Sequence, residues 1–228
     1  MPDRHVLFGT GLGAWNGADA ATAAEPVSLV TKADRDGLDL FTVADHPYFG
    51  AKLDAYALVS FLLGRTERIA GLVTVTNLPS RPAPVLARTI TSLSALSGGR
   101  ILLGIGAGAI WDMIVKLGVP RLDGGSAVRA MAEAITLIRA LSDGGEPVTF
   151  DGEFYHVSGL DPAAEPAPAD LHRLGGTEVA GRHRAAVRRL DPAHGLGLAE
   201  PALPRVAAAD RRRRGRGGTR SGGRRRCL

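Results

Sequence analysis

The stretch FTVADHPYFG, residues 41–50, sets two ionisable groups side by side where an apolar run gives out. His46 is the residue best suited to proton chemistry, because imidazole titrates near neutrality and a neighbouring carboxylate, here Asp45, can tune it. Pro47 then restricts the exit of the chain. The same residues also fit a structural reading, with Asp45 capping the next segment and His46 making a fixed hydrogen bond. A metal site made of Asp45, His46 and Asp112 is the weaker alternative, since no His-Glu-x-x-His or similar spacing accompanies them.

Three more groups could carry chemistry: Gly9–Gly13, Thr74–Asn77 closed by LPSRP, and Gly104–Gly108 with Trp111 and Asp112 beyond. The glycines of LGIGAGA approach a dinucleotide fingerprint but miss its G-x-G-x-x-G register, because residue 109 is alanine. They also follow the fourth strand signal rather than the first. Such glycines allow close backbone approach and leave N–H groups open to an anion or a flat ring. A tight strand-to-helix turn explains them equally well.

The elements that must position these groups alternate. HVLFGTGL (5–12), LDLFTVAD (38–45), RIAGLVTVT (68–76) and RILLGIGAG (100–108) read as short strands, the third rich in β-branched residues. Between them EPVSLVTKADRDGLD reads as a helix with Pro26 at a first helical position. LDAYALVSFLLGRT is a helix ending near Gly64, and PAPVLARTITSLSALSGG one stopped by Gly98 and Gly99. Residues 126–145 form the clearest amphipathic helix, with Val128, Met131, Ile135, Ile138 and Leu141 on one stripe. Four β-α units in series imply a parallel sheet covered by helices, with all four groups on one rim at the strand ends. VTFDGEFYHV then predicts a hairpin turning on Asp151-Gly152, and residues 162–170 a Pro/Ala connector.

Composition divides the chain. Residues 1–171 carry a net charge of −6, whereas residues 172–228 hold 15 Arg, no Lys and 4 acids, a net of +11. Every Phe, Tyr, Trp, Met and Ile lies before residue 172. Too little apolar content follows for a packed core, so 172–228 is expected to be a disordered basic tail. Cys227 is the single cysteine, which excludes an intrachain disulfide and a Cys-based metal site. Neither a signal-peptide pattern nor an apolar run long enough for a bilayer is present, so a cytoplasmic protein without a membrane partner is expected.

ADHPY, then LDAYALVSFLLGRTERIAGLVTVTNLPSRPAPVLARTITSLSALSGGRILLGIGAG, then GEPVTFDGEFYHV resemble the bacterial luciferase-like flavin-dependent oxidoreductases, nearest to their F420-dependent branch. The resemblance covers roughly residues 5–160 in order. It implies a (β/α)₈ barrel with coenzyme F420 or FMN over the strand ends, acting on a small-molecule substrate by hydride transfer or oxygen activation. It implies proton handling by His46 with Asp45 beside it. It also implies a bulge with a non-prolyl cis peptide along Val73, Thr74, Val75 and Thr76, backing the ring. Gly106, Ala107, Gly108 and Asp112 would lie near the cofactor, although Asp112 is often Asn in that branch. Ala109 replaces an acidic residue that some relatives use in catalysis. A tendency to dimerise is implied as well.

The resulting organisation is a partial barrel domain (1–160), a linker (161–171) and the tail (172–228). Four units are half of eight, so open strand edges and an inactive chain are expected. The tail reads as a shifted frame of a GC-rich gene. The rival reading is an RGG-like arm that binds nucleic acid or another polyanion without sequence preference.

Overall fold

The protein was described from a computed structural model, which covers residues 6–17, 19–164 and 207–208. Apart from Ala207 and Ala208, the expected basic tail, with its two readings, lies outside the described residues. So does the connector from residue 165 onward.

Parallel strands β1 (Gly9–Gly11), β2 (Leu40–Val43), β3 (Ala70–Asn77) and β4 (Ile101–Gly106) lie in that order in one sheet. Helices α1 (Ala20–Arg35), α2 (Ala55–Leu63), α3 (Ala83–Ser97), α4 (Trp111–Ile114) and α5 (Gly124–Ser142) complete the β-α alternation. Beyond them β5 (Val148–Asp151) pairs antiparallel with β6 (His156–Leu160) and with β7 (Ala207–Ala208). The four parallel units agree with the expected half-barrel order.

One face of the parallel sheet is the core side. Phe41, Val43, Val73, Ile101 and Leu103 share a buried cluster with Val59 and Leu62 of α2, Leu86 and Ile90 of α3, and Leu137 and Leu141 of α5. Each such side chain contributes about 1.5–3 kcal/mol on burial. Three expectations need correction. Pro26 is not at a helix start but lies inside α1, because an Asp19–Thr22 capping box begins the helix earlier. Pro26 cannot donate to the Thr22 carbonyl four residues back, and the Trp15 indole N–H does so instead, at 2.8 Å.

The stripe of α5 is rotated as well. Val128 is exposed, whereas Ala127, Ala130, Met131, Ala134, Leu137, Ile138 and Leu141 are buried, so small alanines let α5 pack closely. The hairpin does not turn on Asp151-Gly152 alone. Its loop runs through Gly152–Tyr155, where the buried Glu133 carboxylate accepts N–H bonds from Glu153, Phe154 and Tyr155. Glu133 also fills the space beside Gly152, where a Cβ would meet its Oε2 at 2.4 Å.

Two polar side chains fasten the amino ends of the strands. Asp34, at the end of α1, accepts N–H bonds from Glu67, Arg68 and Ile69 at 2.8–3.1 Å. Arg100 reaches the Ser97, Ile69 and Leu63 carbonyls and the Thr66 hydroxyl. Desolvation pushes the Asp34 carboxyl up, but the three N–H donors outweigh it and hold its pKa below the usual value.

Two outcomes follow from these contacts. Trp15→Phe should cost about 1 kcal/mol in urea denaturation, and less in a Pro26→Ala background, where residue 26 can donate to Thr22 again. Asp34→Ala should cost about 1–3 kcal/mol at neutral pH. Because the folded-state pKa of Asp34 is lowered, its contribution is complete above about pH 4 and is lost as pH falls through that lowered value. The stability difference between wild type and Asp34→Ala should therefore shrink on acidification, and a constant difference would contradict the assignment.

Candidate functional site

Parallel strands carry all their carboxyl ends to one side, so the segments after β1 to β4 share a rim. The first two are laced together by Gly17 N–H to the Ala51 carbonyl, Leu53 N–H to the Trp15 carbonyl, and Lys52 Nζ to Asn16 Oδ1. Asn77, the last residue of β3, stands in register with Gly106, the last of β4. The structure thus brings 45–46, 73–76 and 106 to the same end.

The centre of this rim is Asp45. Its side chain is fully buried, accepts the Asn77 backbone N–H at 3.0 Å, and takes a two-pronged ion pair from Arg81 at 2.8 and 2.6 Å. Arg81 also bonds Asp54, the residue that caps α2, and stacks its guanidinium 4.7 Å from the centroid of the Tyr56 ring. Burial opposes the Arg81 charge, yet the bonds to Asp45 and Asp54 prevail and raise its pKa. Tyr56 in turn shares a 2.6 Å hydrogen bond with Thr76, and burial pushes its phenol far above the usual range. One guanidinium therefore fastens the end of β2, the end of β3 and the start of α2.

His46 has a different partner from the one expected. Asp45 turns to Asn77 and Arg81, while His46 Nδ1 lies 2.7 Å from the Tyr48 hydroxyl. His46 is partly buried, with the Tyr48 and Phe49 rings 5.6 and 5.9 Å away between centroids. Burial, followed by the Asp45 charge, raises the Tyr48 pKa, with the Asn77 side chain acting the other way.

Along β3 the peptide between Thr74 and Val75 is cis, and the pairing with β4 shifts between Val73 and Thr76. This is the backbone that the resemblance implied. Thr76 is fully buried, whereas Val75 is 41% exposed. The glycines of β4 make room for the bulge: a Cβ on Gly104 would meet the Val73 carbonyl oxygen at 2.4 Å, and one on Gly106 would meet Val75 Cγ2 at 2.5 Å. Gly108 has φ +98 and is hemmed in by Pro79, Ile114 and Trp111. Ala107 packs partly buried against the core. Asp112 stands apart from the Asp45 cluster, its side chain 89% exposed and ion-paired with Arg121. Among the described residues no group of three or more His, Cys, Asp or Glu could hold a metal ion, and no helix is long and apolar enough to cross a membrane.

The sequence placed Tyr48 beside His46, Asn77 at the end of the Thr74–Asn77 group and Arg81 within LPSRP, but gave none of the three a role. Arg81 carries no local signal, since its partners lie 27 and 36 residues away. Asn77 Oδ1 is buried without a hydrogen-bond partner among the described residues, a lone acceptor beside the bulge. Arg81→Met should destabilise the chain by about 3–5 kcal/mol, because it strands the buried Asp45 carboxylate. Adding Asp45→Asn should restore part of that loss in a urea-denaturation cycle, and strictly additive effects would show that the pair is not coupled.

The luciferase-like monooxygenase family model matches residues 3–226, a span that runs through the segment set apart by composition. The chain is 32% identical over 155 residues to the F420-dependent glucose-6-phosphate dehydrogenase of Intrasporangium calvum, covering 63% of this chain and 46% of that protein. It is 30% identical over 146 residues to the 5,10-methylenetetrahydromethanopterin reductase of Archaeoglobus fulgidus, covering 63% and 41%. The chain spans less than half the length of these curated relatives. In fold it is similar to the oxygenating constituent of 3,6-diketocamphane monooxygenase from Pseudomonas putida in complex with FMN. That match has a TM-score of 0.61 at 20% identity, over 74% of this chain and 51% of that one. An F420-dependent secondary alcohol dehydrogenase in complex with an F420-acetone adduct superposes with a TM-score of 0.60 at 20% identity, over 71% and 50%. On the family match and the barrel fold, the chain belongs to the luciferase-like monooxygenase family.

Proposed function

We propose that residues 1–160 carry the redox site of a flavin- or deazaflavin-dependent oxidoreductase, joined by a linker (161–171) to a separate basic segment (172–228). What supports this reading is that the Asp45–Asn77 bond ties the end of β2, where His46 follows Asp45, to the end of β3, next to the Val73–Thr76 register shift and the β4 glycines. The unpartnered Asn77 Oδ1 fits a ring with N–H donors, as flavin and deazaflavin both are, and the exposed Val75 offers it an apolar support.

In this reading Val73, Thr74, Val75 and Thr76 back the ring, and Gly106, Ala107, Gly108 and Asp112 border it. When bound, coenzyme F420 supplies hydride transfer, and reduced FMN supplies hydride transfer or oxygen activation, on a small organic substrate. His46 holds or moves the proton that this chemistry requires, at Nε2. Asp45 acts by position, since its carboxylate is fully engaged by Asn77 and Arg81. Relatives named for F420 and a fold neighbour named for FMN support both cofactors alike. A cytoplasmic, dimer-forming enzyme is consistent with this reading.

Titration of the full chain with coenzyme F420 and with FMN, followed by cofactor fluorescence, is expected to show saturable binding of one of them. His46→Gln should leave that affinity within about tenfold but lower turnover by roughly 10²–10⁴, the usual share of a positioned acid or base. Failure of both cofactors to bind would overturn the proposal.

A further inference from the structure

We infer that Tyr48 is a positioning residue for His46: its hydroxyl donates to Nδ1 and holds the imidazole with its proton on Nε2. The inference rests on the assignment of proton handling to His46, and it adds a residue that the assignment does not contain.

The geometry is direct. Tyr48 Oη and His46 Nδ1 are 2.7 Å apart, a short separation for a bond between a hydroxyl and a ring nitrogen. Either atom could carry the shared proton, so the surroundings decide. Tyr48 remains a neutral phenol through the physiological range, because burial and the Asp45 charge both raise its pKa. The Asn77 side chain lies beside the Tyr48 oxygen, with its own Oδ1 pointing to no partner among the described residues. A side chain that lowers the pKa of a phenol does so by donating to its oxygen, so the influence of Asn77 leaves the hydroxyl proton for His46. A neutral imidazole that accepts at Nδ1 must carry its hydrogen at Nε2.

The positions of both residues are fixed independently of this bond. Tyr48 packs edge-on against Phe49 with centroids 4.8 Å apart, and the Phe49 N–H donates to the His46 carbonyl at 3.2 Å. Asn77 is held by its backbone bond to Asp45, which Arg81 clamps. Among the described residues no hydrogen bond engages Nε2, so the proton sits on the ring nitrogen left for a reacting group. The order of contacts, from Arg81 through Asp45, Asn77 and Tyr48 to His46, connects the rigid base of the rim to one mobile proton.

The test uses the full chain without cofactor, labelled with ¹⁵N-histidine, at about pH 8. Long-range proton–nitrogen spectra should show His46 Nδ1 unprotonated and Nε2 protonated. In Tyr48→Phe, which keeps the ring packing and removes only the hydroxyl, the fraction with the proton on Nδ1 should rise from undetectable to a clear minority. A wild-type spectrum with Nδ1 protonated would overturn the inference, as would identical tautomer populations in the two proteins. The wild-type spectrum decides the first point even if the variant fails to fold. With cofactor and substrate, Tyr48→Phe should lower kcat about tenfold with KM unchanged. The spectra need no cofactor, so a failure of cofactor binding would count against the redox reading and leave the tautomer result standing.

Discussion

The rim depends on one buried ion pair. Asp45 has no exposed side-chain surface and Arg81 is only 19% exposed, so both charges have largely left water. Such a pair seldom adds net stability over an apolar replacement. Its use here is directional. A carboxylate can accept from a backbone N–H and from two guanidinium nitrogens at once, and a guanidinium can hold two carboxylates in one plane. Asp45 and Arg81 thereby tie Asn77, Asp54 and the end of β2 to a common centre. An apolar cluster could fill that space but could not fix three loop ends to within a hydrogen-bond length.

The bulge and the glycines are one device viewed from two strands. At Val73–Thr76 the ladder between β3 and β4 breaks register, and the displaced backbone and the Val75 side chain lie where Gly104 and Gly106 have no side chains. The glycine run of β4 thus answers first to the neighbouring strand. Of the two readings open to its residues, packing accounts for Gly104 and Gly106 directly. Gly108, with positive φ beside Trp111, belongs to the strand-to-helix turn.

The β-α order was legible because each strand is a short apolar run and each helix has its own period and stop. Gly98 ends α3 in the left-handed conformation that its sequence suggested. Local rules failed where a distant atom altered the terms. Pro26 marks a helix start only while its i−4 carbonyl has no other donor, and Trp15 supplies one. Asp151-Gly152 marks a two-residue turn only if the following N–H groups lack an acceptor, and Glu133 accepts three of them. In the site, Asp45 and His46 were legible as a pair in sequence but act on different partners in space. Adjacent residues at the end of a strand point to opposite sides, so their side chains separate where their names adjoin.

The two ends of the sheet use polar groups differently, and the difference bears on function. At the amino end Asp34 and Arg100 spend their hydrogen bonds mainly on backbone groups, closing the strand starts and leaving a fixed base. At the carboxyl end Asp45 and Arg81 are equally saturated, but their neighbours are not. Asn77 Oδ1 is buried and unpartnered, and the His46 ring has one nitrogen engaged by Tyr48. A buried acceptor without a donor costs about 1–3 kcal/mol. Among the described residues the Ser94 and Ser142 hydroxyls of α3 and α5 are left in the same way, but of these three groups only Asn77 stands at the carboxyl end of the sheet. The saturated pair holds the unsatisfied acceptor in place, so the acceptor cannot relieve itself by moving. That combination of a rigid clamp and an unsatisfied acceptor supports the proposed ring site, and the sequence of the loops alone could not have revealed it.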